Sequence, residues 1–280
     1  MTHTKAVKIS GYFDLGGETL TLIGGPCSIE NEDMCFEVAE KVNSVCRKLG
    51  INYVFKGSFD KANRSSLNAK RAVGMEKGLE ILQKVKDKLN IPVTTDVHES
   101  YQCADVCAVV DIIQVPAYLC RQTDLLVAAA KTNKTVSVKK GQFMAPQNMD
   151  NVIEKILSTG NDKCILIERG SSFGYNKLVV DITGLPILRG FGYPVFIDAT
   201  HSVQEPGGKG TFTRGNREFA PLIMYAALAA GVDGIFAEIH PDPDNAISDV
   251  GSQLKLLEIE SILHKAMLFN DVAWDKKGAC

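Results

Sequence analysis

The stretch that decides the fold reads Tyr53-Val54-Phe55-Lys56-Gly57-Ser58-Phe59-Asp60-Lys61-Ala62-Asn63-Arg64-Ser65-Ser66. Its apolar start is typical of a buried strand, and it changes at once into a loop rich in lysine, arginine, asparagine and serine. A basic surface loop carries similar charges, but it would seldom follow a buried strand so abruptly. Lysine and arginine bind phosphate, and serine and asparagine add hydrogen bonds. The stretch predicts a strand whose carboxyl end carries a phosphate-binding loop.

The same pattern, a short apolar run followed by a longer amphipathic segment, recurs along the whole chain. The predicted strands are 20–27, 52–58, 92–98, 111–117, 135–140, 163–170, 194–201 and 234–240. The predicted helices are 32–49, 75–89, 101–109, 123–131, 146–158, 177–188, 217–230 and 252–269. Apolar strands alternating with helices predict a parallel sheet that is covered on both faces. Eight such units predict an α/β fold, a (β/α)8 TIM barrel.

A doubly wound fold is the alternative, but it needs fewer strands and a glycine-rich first turn that residues 24–27 do not supply. Residues 1–19, with Asp14-Leu15-Gly16-Gly17 as the turn, predict a short N-terminal β-hairpin that plugs the barrel's N-terminal mouth. The sequence has no linker or low-complexity segment, so we expect residues 1–280 to form a single domain.

Composition excludes several classes of protein. A net charge of −2 and a pI near 6.2 argue against nucleic acid or a membrane surface as a partner. No apolar run reaches membrane-spanning length, and the first eight residues lack the core of a signal peptide. The eight cysteines are scattered rather than paired, as in a protein that keeps its thiols reduced. We therefore expect a cytoplasmic protein.

Polar residues stand at the carboxyl end of every predicted strand, which is the face where barrel enzymes build their active sites. In chain order they are Cys27, Lys56 with Ser58, Asp96 with His98, Gln114, Lys139 with Lys140, Arg169, Asp198 with His201, and Glu238 with His240. Caps and salt bridges would explain two or three of these positions. The complete set predicts a shared polar pocket.

Strand alternation assigns some of these side chains to a face. In 135–140 the two valines share a face with Lys140, and Lys139 belongs to the other face. Because helices cover the outside of a barrel, the valines should pack outward and Lys139 should point inward. Parity does not decide whether Asp198 or His201 points inward, since strand ends often bulge or turn. Both remain candidates for the pocket.

The basic residues at this face define the class of ligand. They are Lys56, Lys61, Arg64, Lys139 and Arg169. One buried arginine is usually a structural ion pair, but five cations in one mouth of a slightly acidic protein indicate a polyanionic ligand. The simplest such ligands are small phosphorylated molecules with two phosphates, or with a phosphate and a carboxylate.

A second group of residues predicts a metal site. Cys27, His201 and Glu238 end strands one, seven and eight, which are neighbours in a closed barrel, and Asp249 lies in the loop after strand eight. A lone cysteine is usually a packed thiol, and a lone histidine is usually a satisfied polar residue. Thiolate, imidazole and two carboxylates together suit a divalent ion such as zinc, iron or manganese.

Several further segments carry a family resemblance. They are Gly25-Pro26-Cys27, Thr95-Asp96-Val97-His98-Glu99, Gln114-Val115-Pro116-Ala117, Arg121-Gln122-Thr123-Asp124, Lys139-Lys140, Glu168-Arg169-Gly170, Asp198-Ala199-Thr200-His201-Ser202 and His240-Pro241-Asp242-Pro243. With the opening stretch, they resemble the 3-deoxy-manno-octulosonate 8-phosphate synthase family over residues 20–265. The related 3-deoxy-arabino-heptulosonate 7-phosphate synthases typically have Lys-Pro-Arg-Thr-Ser where this chain continues from Lys61 with Ala-Asn-Arg-Ser-Ser.

The resemblance implies that phosphoenolpyruvate condenses with arabinose 5-phosphate and releases phosphate, in a pathway to lipopolysaccharide. The implied phosphoenolpyruvate site is Lys56, Lys61, Gln114, Ala117, Lys139 and Arg169. The implied arabinose 5-phosphate site is Lys61, Asn63, Arg64, Ser65 and Arg121. Since Arg121 resembles a residue that reaches a neighbouring subunit's site, the resemblance also implies a homotetramer. It implies no organic cofactor.

The family divides into metal-dependent enzymes with cysteine on strand one and metal-independent enzymes with asparagine there. Cys27 and the loop 248–254 resemble the metal-dependent group, with Cys27, His201, Glu238 and Asp249 as ligands. The resemblance and the strand-end positions together give the expected catalytic residues Lys56, Lys61, Asp96, His98, His201 and Asp249. His201 and Asp249 are candidate proton carriers, and the metal either activates water or orients a substrate.

Two other functions compete with this hypothesis. A heptulosonate synthase would use erythrose 4-phosphate, but Asn63 after Ala62 and the absence of an extra regulatory domain argue against it. A non-catalytic barrel would bind sugar phosphates or metal without turnover, and the complete set of proposed catalytic cations argues against that.

Overall fold

The computed structural model describes residues 3–9, 11–63, 68–173, 177–205 and 214–275. Eight parallel strands in these residues form one closed barrel with helices between them, which confirms the predicted fold. Each strand pairs with the next along the chain, and the last pairs with both the seventh and the first. The strands are β1 (Thr21–Gly25), β2 (Asn52–Lys56), β3 (Val93–Asp96), β4 (Ile112–Val115), β5 (Thr135–Lys139), β6 (Cys164–Glu168), β7 (Val195–Asp198) and β8 (Gly234–His240).

The helices that cover the barrel follow the strands in order. They are α1 (Glu32–Leu49), α2 (Met75–Leu89), α3 (Gln102–Val109), α4 (Thr123–Lys131), α5 (Asp150–Leu157), α6 (Gly184–Arg189), α7 (Ala220–Ala229) and α8 (Ile259–Ala273). The bounds of α1, α2 and α4 are those predicted. Caps fix both ends of α1: the Asn31 side chain accepts a hydrogen bond from the Met34 amide, and Gly50 ends the helix at a φ of 68°.

Parts of four predicted helices were wrong. Helix 177–188 is reduced to α6, because Leu178–Val179 pairs with Ser171–Ser172 as a short antiparallel ribbon. Helix 252–269 begins later, at α8, because Leu254–Lys255 pairs with the end of β8. Helices 146–158 and 217–230 each open with a 3-10 turn before α5 and α7 start. In each case tertiary pairing or a tighter turn replaces the α-helix that local periodicity favours.

Two apolar layers hold the barrel together. The outer layer lies between strands and helices and contains Val136 and Val138, as strand parity predicted. The inner layer fills the barrel with large side chains, among them Ile167, Phe196 and Phe236, all fully buried. Burying each such side chain contributes about 1.5–3 kcal/mol. The barrel is therefore a packed core rather than a pore.

The N-terminal hairpin is present, but its predicted turn was wrong. Val7–Lys8 pairs antiparallel with Asp14–Leu15, so the turn lies before residue 14 and not at 14–17. The Ile9 amide donates to the Phe13 carbonyl at 2.9 Å, next to the paired residues Lys8 and Asp14. Leu15 packs into the inner layer, and its burial fixes the register.

Short elements extend the rim at the carboxyl ends of the strands. Gln204–Glu205 pairs antiparallel with Arg214–Gly215 beyond β7, and a 3-10 turn, Ala117–Leu119, follows β4. Among the described helices, none combines the length and the apolar character that crossing a membrane requires.

Candidate functional site

A cavity of about 370 Å³ opens at the carboxyl ends of the strands, where the sequence predicted a shared pocket. Its described walls come from the ends of β2 to β8 and the loops that follow them. The lining residues are Lys56, Lys61, Ala62, Asn63, Asp96, His98, Glu99, Gln114, Pro116, Ala117, Tyr118, Leu119, Lys139, Gln142, Arg169, His201, Gln204, Glu238 and Asp249. Most of the predicted site residues therefore meet in one space.

Two described site residues, Arg121 and Cys27, do not line that wall. Arg64 and Ser65, which were also predicted to belong to the site, lie outside the described residues. Arg121 is exposed and does not line the cavity, although its backbone carbonyl accepts a hydrogen bond from Lys155. Cys27 is fully buried directly behind the wall.

Lys56 lies where β1 and β2 approach each other closely at their ends, and its side chain is buried. A Cβ atom on Gly25 would lie 2.0 Å from the Lys56 carbonyl oxygen, so only glycine fits there. The Lys56 ammonium donates to the Cys27 carbonyl at 2.8 Å and lies 3.1 Å from Glu238 Oε1. This lysine therefore fixes the end of β1 against β8.

Three side chains from distant parts of the sequence form an acidic cluster with a thiol. The ligand atoms of Cys27, Glu238 and Asp249 all lie within 4.8 Å of one another. The Cys27 thiol donates to Asp249 Oδ2 at 3.1 Å. His201 Nε2 faces the same cluster, 3.5 Å from a Glu238 oxygen and 3.6 Å from Asp249 Oδ2.

The chemistry of this cluster fits a divalent metal ion. Glu238 Oε2 is buried and has no hydrogen-bond partner among the described residues, which is costly unless a ligand meets it. Burial, with the nearby charges of Asp249 and Glu238, raises the pKa of the Cys27 thiol well above its ordinary value. A divalent cation would offset both costs, since it binds thiolate and carboxylate directly.

The loop that carries Asp249 is tied to the end of β1. The Gln253 side chain accepts a hydrogen bond from the Cys27 amide at 3.0 Å and donates to the Ser248 carbonyl at 2.9 Å. Ser28 and Ser248 share a further hydrogen bond. Asp249 itself has a φ of 50°, a backbone conformation that the surrounding contacts must maintain.

Asp198 and His201, which strand parity left undecided, both belong to the site. Asp198 lies at the end of β7, and its Oδ2 is 2.5 Å from Lys139 Nζ and 2.7 Å from His201 Nδ1. Although burial alone raises the pKa of Asp198, the neighbouring His201 and Lys139 charges hold it well below its ordinary value. Asp198 is therefore an anion that orients both neighbours.

The opposite wall offers unpaired donors and acceptors to a ligand. Arg169 donates through Nη2 to Gln204 Oε1 at 2.8 Å, but its buried Nη1 has no hydrogen-bond partner in the part of the chain that the structure describes. The same holds for the buried Oε1 atoms of Gln114 and Gln142. Lys139 stands nearby, with Nζ 3.5 Å from the centre of the Phe236 ring. A bound anion with several oxygens would satisfy these groups.

A third group joins the loop after β2 to the end of β3. Ser58 donates a short hydrogen bond to Asp96, whose other oxygen lies 3.0 Å from His98 Nε2. The buried His98 Nδ1 has no hydrogen-bond partner among the residues that the structure describes. Lys61 lies 3.8 Å from Glu238 Oε1, and although burial lowers its pKa, the charges of Cys27 and Glu238 raise it well above the ordinary value.

Two of the predicted strand-end residues, Lys140 and His240, do not line the cavity. Lys140 points away from the cavity, as parity predicted, and donates to Ser171 Oγ and the Met144 carbonyl. His240 accepts a hydrogen bond from the Asp242 amide and does not line the cavity.

Sequence reasoning missed four polar lining residues. They are Glu99, Tyr118, Gln142 and Gln204. Gln142 lies three residues after Lys139, and Gln204 lies three residues after His201, so a search of the loops beyond each strand end would have found them. Tyr118 follows Ala117 directly and lies near Gln142, whose amide donates to its hydroxyl at 3.4 Å.

Comparisons with known proteins show the family to which the chain is related. The profile of the DAHP synthetase I family matches residues 7–271. The chain is 52% identical over 259 residues to a 2-dehydro-3-deoxyphosphooctonate aldolase of Cyanothece sp., which covers 92% of this chain and 95% of the relative. Proteins of that name from Desulfotalea psychrophila (54% identical, 89% of each chain covered) and Synechococcus sp. (51% identical, 97% and 96% covered) are similarly related.

Proposed function

The chain belongs to the DAHP synthetase I family, and from this we propose that it is a 3-deoxy-D-manno-octulosonate 8-phosphate synthase. It condenses phosphoenolpyruvate with D-arabinose 5-phosphate and water, and it releases inorganic phosphate. One structural observation carries the proposal, which is that a set of buried cationic and amide side chains and a thiol–carboxylate cluster meet at a single cavity. The shared name of relatives about 50% identical over nearly the whole chain supports the octonate product over the heptulosonate.

Phosphoenolpyruvate is proposed to bind on the wall formed by Gln114, the Ala117 backbone, Lys139 and Arg169, with Lys56 and Lys61 beside it. The free Nη1 of Arg169 and the ammonium of Lys139 suit a phosphate or a carboxylate. Because both groups are buried and held by neighbouring side chains, Arg169 by Gln204 and Lys139 by Asp198, they need little reorganisation to stabilise charge.

Arabinose 5-phosphate is proposed to bind along the loop after β2. Asn63 lines the cavity, and Lys61 stands between it and the acidic cluster. Arg64 and Ser65 are proposed as phosphate-binding neighbours from the family resemblance, and Arg121 is proposed to serve the site of a second subunit. This arrangement would hold the sugar aldehyde toward the centre of the cavity.

The reaction forms a carbon–carbon bond between C3 of phosphoenolpyruvate and the aldehyde carbon of the sugar. Water adds at C2 of phosphoenolpyruvate and gives up one proton, and the aldehyde oxygen gains one. The tetrahedral intermediate then loses phosphate by cleavage of the C2–O bond. Lys139 and Arg169 would neutralise the leaving phosphate and the carboxylate as charge moves between them.

His98 is proposed to act in proton transfer. His98 lines the cavity, and its Nε2 lies 3.0 Å from Asp96 Oδ2. Its buried Nδ1 has no hydrogen-bond partner among the described residues. A histidine fixed in this way can accept a proton from the attacking water and return it later. His201 and Asp249 are proposed as further proton carriers on the opposite side.

A divalent metal, for which zinc, iron and manganese are candidates, is proposed to be held by Cys27, His201, Glu238 and Asp249. Such an ion would supply a Lewis acid that activates water or orients the aldehyde. Two of the proposed ligands are held in place by neighbouring side chains, Cys27 by a hydrogen bond from its amide to Gln253 and Glu238 by the Lys56 ammonium. No organic cofactor is needed for the proposed chemistry.

The experiment that tests the function is a two-substrate assay of phosphate release, run in parallel with arabinose 5-phosphate and with erythrose 4-phosphate. We expect release with phosphoenolpyruvate and arabinose 5-phosphate. Release with erythrose 4-phosphate alone would identify a heptulosonate synthase instead. Saturable binding of both substrates with no turnover under any divalent ion would identify a non-catalytic barrel.

The wider setting is also a proposal. The product would enter lipopolysaccharide assembly, and the enzyme would work in the cytoplasm, which the seven free thiols among the described cysteines support. A homotetramer is proposed from the resemblance of Arg121 to a residue that reaches across subunits. Light scattering of the purified protein would measure that state directly.

A further inference from the structure

One carboxylate oxygen links the two halves of the cavity. Asp198 Oδ2 lies 2.5 Å from Lys139 Nζ, on the anion-binding wall, and 2.7 Å from His201 Nδ1, on the acidic cluster. Both neighbours therefore share a single acceptor atom. The other oxygen, Oδ1, accepts hydrogen bonds from the Thr200 hydroxyl at 3.2 Å and from the His201 amide at 3.0 Å.

We propose that Asp198 is a positioning residue that couples anion binding at Lys139 to metal binding at His201. This inference rests on the proposed function, because it needs both ligands to bind. Asp198 does not line the cavity and is fully buried, so it acts through its neighbours rather than on a substrate. The Thr200 hydroxyl, which donates to the other oxygen of Asp198, also accepts a hydrogen bond from the Glu238 amide at 3.0 Å.

The direction of the coupling follows from electrostatics. A histidine that binds a metal through Nε2 carries its proton on Nδ1, and a carboxylate on that proton strengthens the ring as a ligand. With no anion bound, Lys139 neutralises part of the charge on Oδ2. When an anion draws the Lys139 ammonium into the cavity, Oδ2 acts on His201 Nδ1 alone. Anion binding therefore strengthens metal binding.

Thermodynamic linkage makes the effect reciprocal, so the metal must strengthen anion binding by the same factor. The surroundings of Lys139 are consistent with this exchange. Its side chain is buried, with the ammonium over the Phe236 ring. Asp198 is the carboxylate in contact with it, the charge of Glu238 acts from farther away, and a ligand in the cavity would be a further anionic partner.

The test measures binding rather than turnover. Full-length protein freed of metal is titrated with Mn²⁺ by calorimetry, with and without saturating phosphoenolpyruvate, and free Mn²⁺ is corrected for its complex with that ligand. We expect phosphoenolpyruvate to tighten Mn²⁺ binding by about fivefold or more, and Mn²⁺ to tighten phosphoenolpyruvate binding equally. In Asp198→Asn, Mn²⁺ binding should weaken by about 10- to 100-fold, and the linkage should disappear.

Two further variants separate positioning from general damage. Thr200→Val removes a hydrogen bond to the other oxygen of Asp198 and should keep the linkage. Lys139→Met removes the competing cation, and without any anion it should bind Mn²⁺ as tightly as the wild type does with phosphoenolpyruvate. Lys139→Met also serves if Asp198→Asn does not fold, as judged by circular dichroism.

Each outcome bears on the inference. Undiminished linkage in Asp198→Asn would overturn it, as would Lys139→Met binding Mn²⁺ no more tightly than the ligand-free wild type. If the wild type binds both ligands independently, the coupling is wrong and the proposed function stands. If it binds neither ligand, the proposed function fails and the coupling fails with it.

Discussion

The Cys27 sulfur lies 3.1 Å from a carboxylate oxygen of Asp249, although 222 residues separate the two along the chain. Closure of the barrel produces this contact, because β8 pairs with β1 and brings the loop beyond β8 against the end of β1. Gln253 then locks the two segments together through the Cys27 amide. A thiol and a carboxylate held this closely in a buried place are suited to share a cation.

Metal removal should abolish activity. Chelation should stop phosphate release, and manganese, iron or zinc should restore it. Cys27→Ala should lower metal-supported activity by at least about 100-fold, since loss of a residue that only supports a metal ligand already costs 10- to 100-fold. The matched control is Cys46→Ala, which alters another buried thiol, in α1, and should keep metal and activity. Full activity in chelator, with no bound metal by elemental analysis, would show that Cys27 is only a packed thiol.

Arg169→Lys should weaken phosphoenolpyruvate binding. Lysine keeps the charge but loses the planar fork that holds Gln204 with one nitrogen and directs Nη1 at the cavity. A lost hydrogen bond to a charged ligand costs about 1.5–3 kcal/mol, which corresponds to roughly a 10- to 150-fold rise in KM for phosphoenolpyruvate.

The control for this prediction is Arg47→Lys, in an exposed arginine in the last turn of α1 that does not line the cavity. It should leave the steady-state constants within about twofold, since a surface substitution away from the site has little effect. An unchanged KM for phosphoenolpyruvate in Arg169→Lys would remove Arg169 from the proposed site.

Asn63→Ala should act on the sugar alone. Asn63 lines the cavity on the loop after β2, away from the wall that carries Arg169. Loss of a neutral hydrogen bond costs about 0.5–1.5 kcal/mol, so KM for arabinose 5-phosphate should rise by roughly 2- to 12-fold. The KM for phosphoenolpyruvate in the same preparation is the internal control. A rise in that constant instead would place the two substrates the other way round.

Gly25→Ala should disturb both stability and catalysis. The added Cβ would lie 2.0 Å from the Lys56 carbonyl oxygen, so one of two paired strands must move, and overpacking of this kind costs about 1–3 kcal/mol. Because Lys56 fixes Glu238, we expect a lower kcat as well as a lower Tm.

Gly160→Ala is the matched control for Gly25→Ala. Gly160 has a φ of 84°, and a Cβ there would meet nothing within 4 Å, so its cost is confined to backbone strain of about 1–2 kcal/mol. It should lower Tm and leave kcat unchanged. If Gly25→Ala behaves in the same way, the contact between β1 and Lys56 does not matter for catalysis.

Much of the fold could be predicted because each unit carries its own local pattern. The strands at 52–58 and 135–140 were recognisable from apolar runs that end in polar residues, and α1 was recognisable as the amphipathic segment between two such runs; in the structure Asn31 and Gly50 cap it. The failures lie where local pattern and tertiary pairing disagree. Leu178–Val179 forms an antiparallel ribbon because it pairs with Ser171–Ser172, and no pattern within residues 177–188 predicts that pairing.

The site divides in the same way. Alternation was enough to send Lys139 inward and Lys140 outward, because side-chain direction along a strand has a period of two. It could not choose between Asp198 and His201, since the choice depends on the 3-10 turn after β7 that brings both together. Gln142 and Gln204 were missed because they lie beyond the ends of β5 and β7, where the alternation of the barrel strands no longer applies.

The sequence by itself determined the order of strands and helices, the face that carries function and the kinds of chemical group on that face. These follow from residue identity and short-range periodicity, which act through neighbours in the chain. Only the tertiary structure decided which groups meet. The contact of Cys27 with Asp249 and the sharing of one Asp198 oxygen by Lys139 and His201 depend on closure of the barrel, where sub-ångström geometry sets the strength of each interaction.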